Sequence, residues 1–588
     1  VTRLEIAAIA ALIVVLPLAL SGQPYYSGLA AYAVILAIFG LSINLTVGYL
    51  GLISFGHAAF FGLGAYTAGL LVTKLGFNFW IALFVAPLPA AVLGAFVGAA
   101  TVRLGGAYFA IATLTAAEIL RLVAANWLDL TRGPLGLIVP RPRISAIESM
   151  GLAFPQYYLF ICLLALALCV ELVRRLLRSP IGRNWQVIRE SRDLAESIGI
   201  ATVRQRTINI ALSGGMAGLA GALFVPRTLV LTPDLFGATL SATGLLTAIL
   251  GGKATLIGPL LGGLTFAVLP EALRFVDTYR VVIFALILLL VIRLQPGGLV
   301  AMLPKSWLQR RQQAAIPRPN GAPVAFAKAD QLHVSHLTRR FGGLSAVTDV
   351  SFDIKPGELV GIIGPNGAGK TTCLSLISGF IVPTQGAVRF GEAIVSDRPP
   401  HQMARAGLVR TFQQTAICPI LSVFENVLAA TAVPVPERFS GAILQLPSFF
   451  KREQERQEIA AECLALVGLS ARAADRAGSL PYGQQKLLSI AVALAMRPRL
   501  LLLDEPAAGL NHTEANLLAG LLKTLHARGL TIALIDHNLR MMMALCERIV
   551  VLDQGRRIAD GAPGEVRANP QVVSAYLGGV AKRDAAPC

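Results

Sequence analysis

Residues 359–372 read LVGIIGPNGAGKTT. The apolar run Leu359 to Ile363 leads directly into GPNGAGKT, Gly364 to Thr371, which fits GxxxxGK[ST] with a strand before it and a helix after it. That spacing builds a glycine-rich turn whose backbone N–H groups face a triphosphate. Lys370 supplies a point charge to the β and γ phosphates, and the Thr371 hydroxyl is a ligand for Mg2+. A second stretch, residues 500–506, reads LLLLDEP and ends an apolar strand in two adjacent carboxylates. Beside a phosphate loop 140 positions upstream, Asp504 reads as the Mg2+ ligand and Glu505 as the general base that polarises water. Short β-rich runs alternating with helical patterns around both motifs predict an α/β P-loop NTPase domain beginning near Gln331.

Outward from that domain the composition changes. The chain has 588 residues, room for about three or four domains. It is 55% hydrophobic and 14% charged, against about 25% charged in soluble proteins, and its mean hydropathy is +0.65. Residues 1–305 hold 21 Lys+Arg and 11 Asp+Glu, whereas the remaining 283 residues hold 30 and 22, so the apolar excess belongs to the first part. The net charge of +18 divides into +10 and +8, so no single basic tail accounts for it. In a membrane protein, loop Lys and Arg on the cytoplasmic side supply the same excess.

Apolar runs at 4–20, 29–50, 51–73, 79–102, 107–125, 155–173, 207–226, 240–270 and 281–303 are each near the ~20 residues that cross a bilayer, and predict a polytopic α-helical membrane domain over 1–305 with about eight to ten spans. The first run lies behind Arg3 and reads as a retained helix rather than a signal peptide, because more spans follow at once. Arg174, Arg175, Arg178, Arg183, Arg189, Arg192, Arg204 and Arg206 face only Glu190, Asp193 and Glu196 in the loop 174–206, which is therefore cytoplasmic. Counting from it puts the N-terminus inside but leaves the loop 126–154, with Arg132, Arg141 and Arg143, outside. Parity after residue 226 also fails for simple spans. The interruption of 240–270 by Gly251, Gly252, Lys253, Gly258 and Pro259 predicts broken or re-entrant helices there.

Asn44, His57, Glu118 and Lys253 are polar residues inside predicted spans and so functional candidates; for His57 and Glu118 an interhelical hydrogen bond is the favoured reading. Clusters such as Gly56, Gly62 and Gly64, or Gly214, Gly215, Gly218 and Gly221, read as close helix packing. The seven cysteines form no CxxC pair and read as free thiols. Residues 306–329, rich in Pro, Arg, Gln and Ala, read as a flexible linker. His333 and His336 read as solvated or packed histidines rather than metal ligands.

With these motifs in place, the chain resembles the ATP-binding-cassette transporters, and within them the branched-chain amino-acid uptake systems, over nearly its whole length. LPYGQQ (Leu480 to Gln485) is similar to the signature motif, which in that family closes over the γ-phosphate bound to the opposite subunit and assigns Tyr482, Gly483 and Gln484 to the nucleotide. Gln413 in RTFQQ resembles the glutamine that senses Mg2+, and His537 in LIDHN the switch histidine beside the γ-phosphate. Phe341 sits where the family stacks an aromatic on adenine. The family's phosphate loop carries over to Gly364, Pro365, Asn366, Gly367, Ala368, Gly369, Lys370, Thr371 and Thr372. In the first half, residues 44–66, 104–122, 182–200 and 249–263 resemble the subgroup's permease, and Ala195 and Gly199 fit the short coupling helix, near 190–200, by which such permeases dock on the ATPase. Two positions depart from the pattern. Pro481 replaces a serine common in cassettes and lacks an N–H donor, and Asn511 stands where Asp is frequent.

The resemblance implies an ATP- and Mg2+-dependent importer subunit of a bacterial inner membrane, permease fused to ATPase, with the ATPase at 330–588 on the cytoplasmic side. It also implies an extracytoplasmic binding protein, a second permease and a second ATPase or else a homodimer, and leucine, isoleucine or valine as cargo. Urea, amides or other amino acids are the alternative cargo. A half-size exporter expects six spans and long cytoplasmic extensions. A soluble cassette on ribosomes or nucleic acid expects no spans, so no nucleic-acid partner is expected. An ATP-gated channel would share the architecture but not transport against a gradient.

Overall fold

A computed structural model describes residues 13–20, 22–101, 104–149, 153–302, 317, 326 and 329–581. Most of the first predicted span and nearly all of the linker 306–329 lie outside the described residues. The chain forms two compact units, one of Val1–Arg189 with Val203–Gln312, the other of Glu190–Thr202 with Gln313–Cys588. The excursion 190–202, counted with the first half on sequence, thus belongs to the second unit.

The first unit is helical. Pro24–Asn44 carries no charge and buries residues on every side, as a helix wrapped by others must. It runs into a π-helical turn, Leu45–Tyr49, and then irregular backbone to Gly56 before the helix His57–Thr73 begins. The sequence expectation of a span starting at 51 is corrected, because residues 51–56 are not helical. Pro24–Tyr49, Phe79–Ala100, Gly106–Asn126 and Thr202–Thr228 are long and apolar enough to cross a membrane, and His57–Thr73, Ala238–Gly252 and Val282–Val291 are shorter apolar helices. A Cβ on Gly64 would run into the backbone of Gly218, and one on Gly221 into that of Phe61, so these glycines set how closely His57–Thr73 and Thr202–Thr228 approach.

The segment 240–270 is broken, as its glycines and Pro259 predict. Ala238–Gly252 and Gly258–Ala272 have 15 residues each, about 22 Å at 1.5 Å per residue, short of about 30 Å of hydrocarbon. Asn44 closes the break: its Nδ2 donates to Thr255 O at 2.7 Å and its Oδ1 accepts from Ala254 N at 2.9 Å. Irregular backbone is thereby satisfied by protein. His57 is fully buried, with ring nitrogens 2.9 Å from Ser54 Oγ and 2.7 Å from Ser213 Oγ, an interhelical bond as favoured. Two other expectations are corrected. Glu118 pairs at 2.7 Å with Arg121 on its own helix and is half-exposed, and Lys253 is exposed at the break rather than inside a span.

The second unit holds a six-stranded sheet in the order Arg556–Gly561, Arg548–Asp553, Leu359–Ile363, Thr531–Ile535, Leu500–Asp504, Leu408–Arg410. The last five strands are parallel. Leu359–Ile363, Leu500–Asp504 and Thr531–Ile535 are buried at every residue; a strand covered on both faces needs a continuous apolar run, which is what their sequences supply. A four-stranded antiparallel sheet, Leu344–Ile354, Leu332–Phe341, Gln385–Phe390, Ala393–Ile394, packs into the same core. His333 and His336 lie on it, paired with Asp353 at 2.8 Å and Asp349 at 2.7 Å. Helices Val423–Ala430, Pro447–Leu466 and Tyr482–Leu494 form a helical region. There the fully buried Arg456 donates to Val435 O at 2.9 Å and pairs with Glu453 at 2.9 Å. The six cysteines among the described residues are buried and outside any disulfide.

Candidate functional site

Four neighbouring parallel strands deliver the site. Their carboxyl ends lie side by side, with Ile362 level with Ile535 and Ile535 level with Asp504. Ile363 leads into the phosphate loop, Ile535 into His537, Leu503 into Asp504 and Glu505, and Arg410 into Gln413. Residues remote in sequence meet there because an α/β sheet opens its crevice at that edge.

The phosphate loop turns through Gly364, Gly367 and Gly369, all at positive φ. A side chain fails at two of them, since a Cβ on Gly364 would run into Leu552 O and one on Gly369 into Ala346 O. Asn366, Gly367 and Thr371 are exposed, Pro365 and Thr372 are half-buried, and Ala368 lies in the core. Lys370 folds back on the loop, donating to Gly364 O at 2.7 Å and Pro365 O at 2.9 Å. Burial pulls its ammonium below the ordinary lysine range, and Glu505 and Asp504 act against that shift.

Asp504 Oδ2 pairs with Arg410 at 2.8 Å, while Oδ1 is buried with no hydrogen-bond partner. A buried oxygen left without a donor fits a cation ligand, so the donor set Thr371, Gln413 and Asp504 suits Mg2+. Glu505 is held on both sides, with Gln413 Nε2 donating to Oε2 at 2.6 Å and His537 Nε2 2.7 Å from Oε1. Its backbone is left-handed at φ 48°, a conformation that costs about 1–2 kcal/mol in an L-residue and presents the carboxylate beyond the strand end. Asp536 fixes the neighbouring turns, accepting from Ala507 N at 3.0 Å and Asn538 N at 2.9 Å.

The remaining expected residues stand apart. Phe341 ends its strand 44% exposed, with the Arg339 guanidinium 4.7 Å from the ring centroid. Tyr482 is exposed, Gly483 is buried against Glu514, and Gln484 accepts from Arg472 at 2.9 Å. Among the described residues no hydrogen bond joins 482–484 to the phosphate loop of the same chain. Pro481 is the N-cap of Tyr482–Leu494 and gives it no side-chain cap. Asn511 caps His512–Ala527 by accepting from Glu514 N at 2.9 Å, a place where Asn and Asp are equivalent. Sequence reading missed Arg410, Lys486 and Asp536. Each is buried at 6% exposure or less, and only the proximity of Arg410 to Gln413, or of Lys486 to GQQ, marks the first two in the sequence.

The excursion Glu190–Thr202 packs within the second unit. Helix Arg192–Ser197 buries Leu194 and Ala195, Ile198 and Ile200 follow it into the interior, and Arg405 Nε donates to Gly199 O at 2.9 Å. Gly199 has φ +77°, and a Cβ there would stand 2.5 Å from Val433 Cγ2.

The family described as branched-chain amino acid transport system, permease component, matches residues 25–292. The ABC transporter family matches residues 347–508, and the branched-chain amino acid ATP-binding cassette transporter family matches 556–582. The high-affinity branched-chain amino acid transport ATP-binding protein BraF of Pseudomonas aeruginosa is 42% identical over 248 residues, 42% of this chain and 97% of that protein. The corresponding protein LivG of Escherichia coli strain K12 is 40% identical over the same length and coverage. The lipopolysaccharide export ATP-binding protein LptB of Acidithiobacillus ferridurans is 34% identical over 250 residues, 42% of this chain and 98% of that protein. Among solved structures, the ADP conformation of an ATP-binding cassette of an ABC transporter is 29% identical and covers 42% of this chain and 99% of its own, with a TM-score of 0.37. With one permease region and one cassette matched in succession, this chain belongs to the ATP-binding-cassette transporters of the branched-chain amino-acid type, its membrane permease and its ATP-hydrolysing component carried on one polypeptide.

Proposed function

We propose that the chain is half of an importer for branched-chain amino acids in a bacterial inner membrane, with the cassette in the cytoplasm. The observation that carries this reading is the co-occurrence, in one chain, of branched-chain family matches in the permease at 25–292 and at the cassette's C-terminal end at 556–582. The ATP-binding core alone is less discriminating, since an export protein is similar to it at 34% identity. A second permease and a second cassette, or a second copy of this chain, complete the transporter, and an extracytoplasmic binding protein delivers leucine, isoleucine or valine.

In this reading the site hydrolyses ATP as follows. Backbone N–H groups of Gly364–Thr372 and the Lys370 ammonium hold the phosphates, and the ring of Phe341 stacks on adenine. Thr371, Asp504 and Gln413 would hold Mg2+, which supplies charge neutralisation at the phosphates. Glu505 takes a proton from the attacking water. Gln413 and His537 each bond one oxygen of this carboxylate, which orients it and leaves each oxygen a further lone pair for the water. His537 then faces the γ-phosphate, and Tyr482, Gly483 and Gln484 cap the nucleotide of the opposite cassette. The short helix Arg192–Ser197 carries the cassette's movement to the permease, a population shift driven by tighter ATP binding to the closed pair.

The test is reconstitution of the full chain with its partners in vesicles, scanning amino acids and urea for uptake and stimulated hydrolysis. Leucine, isoleucine or valine should stimulate both, and Glu505→Gln should cut turnover by at least about 100-fold and stop uptake. Stimulation by urea and not by any amino acid would overturn the cargo assignment. Uptake persisting in Glu505→Gln, only down a gradient, would turn the pump into a channel.

A further inference from the structure

We propose that Lys486 is a positioning residue that ties the first turns of the signature helix to Gln413 and Glu505, so that the position of that helix sets the hydrolytic glutamate. The side chain is 2% exposed. Its ammonium donates to Gln413 O at 2.5 Å and to Glu505 O at 3.4 Å, and its Nζ lies 5.7 Å from the centroid of the Tyr482 ring. These two carbonyls belong to the residues whose side chains bond each other at 2.6 Å. One buried cation therefore fixes the backbone of a pair whose side-chain contact sets where the Glu505 carboxylate stands.

The energetics point away from a purely structural role. Among the described residues no carboxylate lies within salt-bridge distance of Lys486. A buried ammonium satisfied only by carbonyls is a costly way to fill a core, where an apolar side chain of similar length would serve stability as well or better. What an apolar chain would not supply is a directional link. Lys486 sits one turn from the start of Tyr482–Leu494, and Tyr482, under it, stands 2.9 Å from where a Cβ on Gly509 would be. Signature helix, Gln413 segment and the turn after Glu505 therefore meet around one side chain. A rotation of the helix transmits through Lys486 to both carbonyls and changes the Gln413–Glu505 contact. Since that helix begins with the residues assigned to the opposite cassette's nucleotide, each cassette's grip on its partner's ATP would reach its own general base.

The inference rests on the roles proposed for Glu505 and Gln413, and the test keeps the two apart. Full-length chain with its partners in lipid nanodiscs is compared with Lys486→Met, which keeps length and loses the donors, and with Lys486→Arg, which keeps charge and donors. Lys486→Met should lower kcat for ATP about 10-fold to 100-fold, the scale of a small misplacement of a reacting group, with KM for ATP within about twofold and an unchanged or higher thermal midpoint. The steepness of the rate against ATP concentration should fall towards a Hill coefficient of one. Lys486→Arg should recover most of the rate, and Lys486→Met combined with Gln413→Ala should cost less than the sum of the two, as residues acting as one unit do. If Lys486→Met does not fold, Lys486→Gln replaces it with the same expectations. An unchanged kcat, a loss confined to KM or to thermal stability, or full additivity with Gln413→Ala would overturn the proposal. Hydrolysis surviving in Glu505→Gln would instead overturn the assignment of Glu505.

Discussion

Arg410 holds three groups at once in a site where charge is dense. Its guanidinium pairs with Asp504 at 2.8 Å, donates to Ser375 Oγ at 2.9 Å and Ser378 Oγ at 3.2 Å, and lies over the rings of Phe380 and Phe412. Both charged side chains are nearly dry, at 5% and 2% exposure. Removing one partner strands the other charge, so Arg410→Met should destabilise the second unit by about 3–5 kcal/mol, read as a lower thermal midpoint of the cassette. Arg410→Met paired with Asp504→Leu should recover part of that loss, because an apolar pair carries no desolvation penalty; no recovery would mean that the ion pair is not the source. Gly364–Thr371, Asp504 and Glu505 are legible in the sequence because each belongs to one strand and the turn after it. Gln413 and His537 are legible only through resemblance, since the sheet brings them in from other strands. Arg410 and Lys486 carry no local signature, because a buried basic side chain is defined by what surrounds it.

At the scale of elements, length and hydropathy locate most helices of the first unit, but not where they break. The break at 253–257 announces itself through glycines and Pro259, whereas the π turn Leu45–Tyr49 and the irregular backbone after it lie in the apolar run LTVGYLGLIS. That interruption depends on partners elsewhere: Arg189 donates to Gly48 O at 2.7 Å and Asn209 Nδ2 to Leu45 O at 3.1 Å. The excursion 190–202 is an element whose seat includes a titrating group. Burial first, and Arg405 second, push the His401 imidazole below its ordinary range, while Glu196 on the excursion pulls the other way. A histidine depressed in the folded state contributes stability that is present above its unfolded pKa, near 6.5, and lost as pH falls through the folded value. The second unit's thermal midpoint should therefore drop between about pH 7.5 and pH 5.5, and the drop should shrink in His401→Gln. An equal drop in that variant would assign the effect to other groups.

On the whole chain, the two chemistries read from composition meet in a connectivity that composition does not reveal. The chain leaves the first unit after Arg189, contributes Glu190–Thr202 to the second, and returns at Val203. Residues 306–329, which read as a linker on sequence, are then not the sole covalent connection between the two units. Leu194, Ile198 and Ile200 are each exposed by 5% or less, and a Leu or Ile side chain fully withdrawn from water contributes about 1.5–3 kcal/mol, enough together to hold a fragment without a covalent bond. A protease site placed between Asn320 and Gly321 tests this. After cleavage in mild detergent the permease and cassette fragments should purify together through a tag on either one. Gly199→Val, which forces a β-branched residue into φ +77° and against Val433, should let them separate while leaving the uncut chain joined. Separation of the unsubstituted fragments would mean that the excursion does not hold the cassette and that the linker alone keeps permease and ATPase together.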